Sequence, residues 1–350
     1  MTRVRDIPVH DSTRVRDVRV ATEEAAARAG LDAHRTAVAA LVATELATNL
    51  LKHAGGGRLV IEPVDGTGPG TGAPGPGVQL VALDHGPGIP DVAAALRDGC
   101  TTSEASLGAG LGTCLRVSSE FDLYSTRRGT VMVARVDRAA GLVRTPAAGR
   151  AGGINVPLGR AEHSGDAWSC VRSGSLLTLL LADGLGHGPR AAHASATAVH
   201  ELHRVGHLPP AAVLSRLHPA LRPTRGAAVA VAQVDTDTGE LAFAGVGNIG
   251  ARLLTAGSWE HLVSHPGIVG AQFPATVPVR RAPWRPGSLL VLHSDGLPGR
   301  WVPPDDPELL THAPAVVAAT VLRDAGSAAS PVRDDTCVAV LAADHPAGRP

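Results

Sequence analysis

Cysteine is scarce in this sequence, lysine is nearly absent, and no long hydrophobic run occurs. Each lack removes a class of protein. The four cysteines, Cys100, Cys114, Cys170 and Cys337, lie far apart with no CxxC pair, so neither a zinc site nor a disulfide framework is indicated. They read as reduced thiols. The longest apolar runs, such as SLLTLLLA, fall well short of the ~18 residues needed to span a bilayer. The N-terminus also lacks the charged-then-apolar pattern of a secretion signal. The expectation is a soluble, cytoplasmic protein with no membrane partner. Net charge is missing as well: 32 Lys and Arg balance 32 Asp and Glu. No basic tail occurs, so the electrostatic argument for a nucleic-acid partner falls away. Lys52 is the only lysine, while arginine supplies the other strong positive charge.

What is there is a globular composition, 44% hydrophobic and 18% charged, over 350 residues. At about 150 residues per domain that length predicts two domains. A strand-like TRVRDIPV precedes an amphipathic helix bracketed by Asp11, Ser12 and Gly30. A second helix runs from about Asp32 to Ala54 and ends in GGG. RLVIEPV and VQLVALD read as a strand pair around DGTGPGTGAPGPG, too rich in Gly and Pro for regular structure and taken as a flexible surface insertion in a hairpin. FDLYS and TVMVARV form a further pair, after which DRAAGLVRTPAAGRAGG resembles a linker. Domains are expected at 1–138 and 152–345, with a linker over 139–151. In the second, β-rich runs (WSCVRSGSLLTLLLAD, AAVAVAQVDT, ELAFAGVGN, ARLLTAG, SLLVLHSD, TCVAVLAA) alternate with three helical segments. That mixture predicts an α+β layered domain.

The second helix carries LVATELATNLLKHAGGG, in which Glu45, Asn49, Lys52 and His53 fall at i, i+4, i+7 and i+8. They project from one side as a polar stripe. Downstream, DHGPGIP places Asp84 at the end of an apolar strand before Gly86 and Gly88. SLGAGLG then supplies Gly108, Gly110 and Gly112 in a turn leading into a helix. Such turns present successive backbone N–H groups to anions. Together these parts could hold a nucleotide: Asp84 accepting from an adenine amine, Asn49 binding a divalent cation, and the glycine turns closing over the phosphates. Mg²⁺ suits hard oxygen ligands of this kind. Glu45, one turn before Asn49, could orient or deprotonate an attacking hydroxyl. GAGLG alone is weak, and it follows the polar TTSEAS rather than a strand, which argues against a Rossmann fingerprint.

ELATNLLKHA, DHGPGIP and SLGAGLG resemble the N, G1 and G2 boxes of GHKL ATPases, and the stretch between Asp84 and Gly112 is most similar to RsbT-type switch serine kinases. The resemblance covers about residues 1–138 and implies a Bergerat-type α/β sandwich that binds ATP. It further implies Glu45 as base, Asn49 as Mg²⁺ ligand, Lys52 near phosphate, Asp84 to adenine, and Thr130 of RRGT beside it. A sensor histidine kinase fits less well, because only about 40 residues precede the N box, too few for a phosphoacceptor hairpin. His53 reads as structural.

In the second half, carboxylates recur beside glycine or at strand ends: Asp166, Asp183, Asp295, Asp334 and Asp335. Their apolar contexts do not suit a solvated face. Converging half-buried carboxylates cost several kcal/mol each unless cations compensate them. Oxygen-only ligation with no His or Cys pattern indicates Mg²⁺ or Mn²⁺ over Zn²⁺. Two such cations suit hydrolysis of a phosphomonoester, among the slowest uncatalysed reactions. DGLGHG could imitate a dinucleotide loop, but Asp183 would repel a pyrophosphate there and the GxGxxG spacing is missing.

GDAW, DGLGHG, GVGNIGA, SDGL and RDD occur in the order found in SpoIIE-like and RsbX-like PPM serine/threonine phosphatases, which these motifs resemble over about 152–343. The resemblance implies a PPM-type αββα sandwich with metal binding by Asp166, Asp183, the Gly184 carbonyl, Asp295 and Asp334. Where the family usually has DDAT this chain has DDTC, which puts Cys337 at a common threonine position and bears on the choice between Asp334 and Asp335. His187 could protonate a departing serine oxygen, since histidine titrates in the range a general acid at neutral pH requires, or serve a structural role. Asn248 reads as a turn residue, with a place lining the site as the alternative.

The expected protein is a fused partner-switching regulator. The two resemblances imply that one half phosphorylates a Ser or Thr of a STAS-domain protein with ATP and the other removes that phosphate. Alternatives are a GHKL half that only binds nucleotide and docks a sigma-factor regulator, and a phosphatase acting on small molecules.

Overall fold

The computed structural model describes residues 3–64, 76–97, 110–139, 149–326 and 334–343. They form two compact units that divide between residues 139 and 149. Gly108 and the Gly/Pro-rich stretch at 65–75 lie outside the described residues.

The first unit runs β1 (Arg5–Val9), α1 (Ser12–Arg28), α2 (Ala33–Ala54), β2 (Gly57–Val64), β3 (Gly77–Leu83), α3 (Val92–Leu96), α4 (Leu111–Val117), β4 (Glu120–Thr126) and β5 (Gly129–Asp137). Both long helices start on an aspartate cap: Asp11 accepts from Thr13 N–H and Asp32 from Arg35 N–H. Gly55, left-handed at φ 72°, closes α2. The strands form one antiparallel sheet in the order β1-β2-β3-β5-β4. One face, with Leu59, Ile61, Leu80 and Ala134, packs against Val18, Ala25, Leu46 and Leu50 of α1 and α2. Leu46 and Leu50 are fully buried, each contributing about 1.5–3 kcal/mol. Buried Arg35 ties the start of α2 to the end of the sheet, donating to the Asp137 carbonyl at 2.9 Å and Ser119 Oγ at 2.7 Å. This is the two-layer α/β sandwich expected of a GHKL domain.

The second unit runs β6 (Arg150–Val156), β7 (Asp166–Ser173), β8 (Leu176–Gly184), α5 (Pro189–Val205), α6 (Pro210–Leu221), β9 (Ala227–Asp235), β10 (Glu240–Val246), β11 (Gly250–Thr255), β12 (Ser258–Leu262), β13 (Arg280–Pro283), β14 (Leu289–His293), α7 (Pro314–Ala325) and β15 (Thr336–Ala342). All three helices begin with proline, whose missing N–H costs nothing at that position. Two antiparallel sheets result, β13-β10-β9-β8-β7 and β12-β11-β14-β15-β6. Alternation along β8 builds two cores at once. Leu177, Leu179 and Leu181 meet Leu290, Leu292 and Leu341 of the other sheet, while Leu180 and Ala182 meet Leu202 and Leu214 of α5 and α6. With α7 packed on β6 and β15, the layers are αββα, the PPM architecture.

Candidate active sites

In the first unit the loop after β3 folds back onto the end of α2. A Cβ on Gly86 would stand 2.8 Å from Ala54 Cα, and Gly88, at φ +80°, lies against the Thr126 carbonyl. Glycine at both positions lets the loop close. Asp84 is buried there, and its Oδ1 accepts N–H bonds from Gly86 at 2.8 Å and Thr130 at 3.0 Å. Among the described residues no donor falls on Oδ2, which stays available to an incoming amine. Thr130 is thus beside Asp84, as the resemblance implies. Ser125 extends the network unanticipated by the sequence: its Oγ bonds Thr130 Oγ1 at 2.8 Å and accepts Ile89 N–H at 2.8 Å. Its register opposite Thr130 in the β4–β5 ladder was the available signal.

On α2, Glu45 and Asn49 are half-buried, while Lys52 and His53 are exposed in the last turn. Burial pushes the Glu45 carboxyl above its ordinary value, and the Lys52 charge pulls it back. The Cys114 thiol of α4, raised to about 12 by burial, also feels the Glu45 charge. Among the described residues Asn49 Nδ2 is buried with no hydrogen-bond partner. An unpartnered buried N–H donor is costly, which suits a side chain awaiting an acceptor such as a phosphate oxygen. Gly110 precedes α4 and Gly112 is buried in its first turn.

In the second unit, sheet register brings the acids together. Asp166 opens β7 and stands directly opposite Asp183 near the end of β8. Like charges placed this way repel. Asp166 is 3% exposed, and burial, then the Asp183 charge, push its carboxyl well up. Asp183 is raised to about 7 by burial, then by Asp295, with Asp334 adding to both Asp183 and Asp295. Among the described residues Asp166 Oδ2 is buried without a partner. Among the described residues no three His, Cys, Asp or Glu side chains are already assembled as a metal cage. The unpartnered oxygen and the opposed carboxylates nevertheless fit an oxygen-liganded divalent cation.

The neighbouring groups hold this cluster in place. Asn248 Nδ2 donates to Asp295 Oδ2 at 2.7 Å, so the residue read as a turn former also fixes a site carboxylate. Ser294, whose Oγ accepts Cys337 N–H at 2.9 Å, partly offsets the upward push on the Asp166 carboxyl. Asp335 is buried and accepts N–H bonds from Leu158 and Gly165, both at 2.7 Å, pinning the loop before Asp166. Asp334 is exposed and faces Asp183 and Asp295 electrostatically. The structure therefore gives the adjacent aspartates different surroundings. Gly184 packs against the Ala191 carbonyl of α5, and His187 is exposed in the loop between them.

Two folds and two acid constellations thus define a fusion of a GHKL domain with a PPM domain. Family comparison gives the same division. Residues 9–136 match the histidine kinase-like ATPase domain, and residues 173–344 match stage II sporulation protein E. The chain joins an RsbT-like GHKL domain to a SpoIIE-type PPM domain. It is 42% identical over 82 residues to the serine/threonine-protein kinase RsbT of Bacillus subtilis, a match spanning 23% of this chain and 56% of that relative. Two solved structures are similar at lower identity. The PP2C phosphatase domain and regulatory fragment of B. subtilis SpoIIE shows 17% identity and a TM-score of 0.48, over 78% of this chain and 80% of that one. The RsbU and RsbW domains of a Mycobacterium tuberculosis protein show 20% identity and a TM-score of 0.46, over 57% and 61%. Among the described residues no helix is long and apolar enough to cross a membrane.

Proposed function

We propose that the chain is a bifunctional partner-switching regulator. The GHKL half transfers phosphate from ATP to a Ser or Thr of a STAS-domain protein, and the PPM half removes such a phosphate. The observation that carries this reading is the presence on one chain of Glu45 one helical turn before an unpartnered Asn49, and of Asp166 opposite Asp183.

In the first unit, Asp84 Oδ2 would receive the adenine amine, while Asn49 holds Mg²⁺ and Lys52 and the Gly110–Gly112 turn face the phosphates. Glu45 accepts the proton of the substrate hydroxyl as its oxygen attacks the γ-phosphorus and ADP leaves. Its raised pKa makes it a stronger base than an exposed glutamate.

In the second unit, Asp166, Asp183, the Gly184 carbonyl, Asp295 and Asp334 would hold two divalent cations, Mg²⁺ or Mn²⁺. When bound, these supply a hydroxide nucleophile at neutral pH and offset charge on the phosphoryl group. Asn248 orients Asp295, and Asp335 fixes the loop carrying Asp166. His187, exposed in the loop that follows Asp183, gives a proton to the departing serine oxygen. Tethering keeps both activities at high effective concentration around one partner.

The test pairs wild type with Asp183→Ala, each given γ-labelled ATP, both metals and a STAS-domain protein encoded nearby. Label accumulating with the variant and decaying with wild type supports the switch. Absence of transfer by a variant that binds ATP and the partner supports a nucleotide-binding docking module instead.

A further inference from the structure

One cation near the second site is marked by no motif. Arg225 lies between α6 and β9 in a turn braced from both sides. Thr224 donates through N–H and Oγ to the Leu221 carbonyl at 2.9 and 2.7 Å, and Gly226 N–H donates to Thr224 Oγ1 at 3.0 Å. Across from it, Leu185 N–H donates to the Gly226 carbonyl at 3.0 Å, locking this turn to the loop that follows Asp183. Gly186 in that loop has φ +86°, and a Cβ on it would stand 2.9 Å from Arg225 Nη1. The guanidinium therefore rests on the Gly186 backbone. A Cβ on Gly165, the neighbour of Asp166, would stand 3.3 Å from the Gly186 carbonyl oxygen and 3.0 Å from Asp335 Oδ2. The arginine thus borders the aspartate cluster, yet it is exposed and forms no ion pair or hydrogen bond among the described residues.

A guanidinium resting on the loop that follows Asp183, and paired with no carboxylate among the described residues, is free to bind a separate anion. Its planar fork of N–H donors matches two oxygens of a phosphoryl group. We propose that Arg225 binds the phosphoryl oxygens of the substrate, an assignment that rests on the phosphatase reading of this site. Cations held by the aspartates would face one side of the phosphate and Arg225 another.

The test uses the full chain loaded with Mn²⁺. Inorganic phosphate is titrated by calorimetry and also as a competitive inhibitor of p-nitrophenyl phosphate hydrolysis. Arg225→Ala should weaken phosphate binding and raise KM by about tenfold to a hundredfold, the loss expected for a charge-assisted hydrogen bond. Mn²⁺ affinity should stay within about twofold, since the residue is no ligand. Arg225→Lys keeps the charge without the fork and should recover part of the loss. The site is exposed, so neither change disturbs the core. Equal phosphate affinity in wild type and Arg225→Ala overturns the inference and leaves the phosphatase reading standing. A wild type that hydrolyses no phosphomonoester overturns that reading instead. The phosphate titration then decides on Arg225 alone: a loss in the alanine variant supports it, and no loss or no binding refutes it.

Discussion

Asp183→Asn tests the charge arrangement of the second unit through stability rather than activity. Burial first, then the Asp295 charge, raise the Asp183 carboxyl from 3.8 to about 7. A carboxyl raised on folding holds its proton more tightly in the folded state. The stability it contributes is therefore present below the unfolded value and is lost as pH rises from about 4 through about 7. At about 1.4 kcal/mol per pH unit, metal-free protein at pH 8 carries a penalty of at most about 4 kcal/mol from this residue. Asparagine cannot ionise, so it removes that penalty and relieves Asp166 as well.

For a domain of this size the gain corresponds to an unfolding midpoint higher by roughly 8–16 °C at pH 8. At pH 4 the two proteins should nearly coincide. All four tryptophans, Trp168, Trp259, Trp284 and Trp301, lie in the second unit, so their fluorescence follows it alone in the full chain. With a chelator present, wild type should lose stability between pH 4 and 8 more steeply than the variant. Mn²⁺ at pH 8 should then stabilise wild type far more than Asp183→Asn. Parallel pH profiles for the two proteins would refute the account of opposed, uncompensated charges.

Ser125→Ala strips Ile89 N–H and Thr130 Oγ1 of their partner, and calorimetry with a non-hydrolysable ATP analogue should show binding weaker by about 1–3 kcal/mol. Asn248→Ala releases Asp295, so Mn²⁺ titration should find affinity lower by about tenfold to a hundredfold. His187→Ala should slow hydrolysis of a phosphoserine peptide by about 10²- to 10⁴-fold, while p-nitrophenyl phosphate, whose leaving group needs no proton, is barely affected.

Legibility followed the apolar signal. The capped helix ending at Gly55, the β8 run and the three proline-led helices were plain in the sequence because burial on known faces dictates their pattern. The strands β12 (SWEHL) and β13 (RRAP) were not, because each lies at a sheet edge and is largely polar. The acidic residues stood out as carboxylates in apolar contexts. Their supports did not: Ser125, Asn248 and Arg225 are common surface types, and only strand register or a closed turn brings them to Thr130, Asp295 and Gly186. The motif favoured Asp334 over Asp335 only narrowly, and the two N–H bonds to Asp335 distinguish them in three dimensions.

The two halves handle buried acidity differently, and this has consequences for control. In the GHKL unit the half-buried acid of the candidate site, Glu45, is moderated by the one lysine of the chain, so its charge is offset without a metal ion. In the PPM unit Asp166 and Asp183 face each other across a ladder with no basic side chain among the causes that shift them. Only a proton or a bound cation relieves that repulsion. Withdrawing divalent cations should therefore loosen the second unit itself, whereas in the first it removes nucleotide chemistry and leaves the packing of α2 intact. Under the proposed function, a fall in free metal would silence both activities, and reversal of phosphorylation would return only after the aspartate sheet ends reclose. The proposed kinase half would then recover first, leaving the chain biased toward the phosphorylated partner.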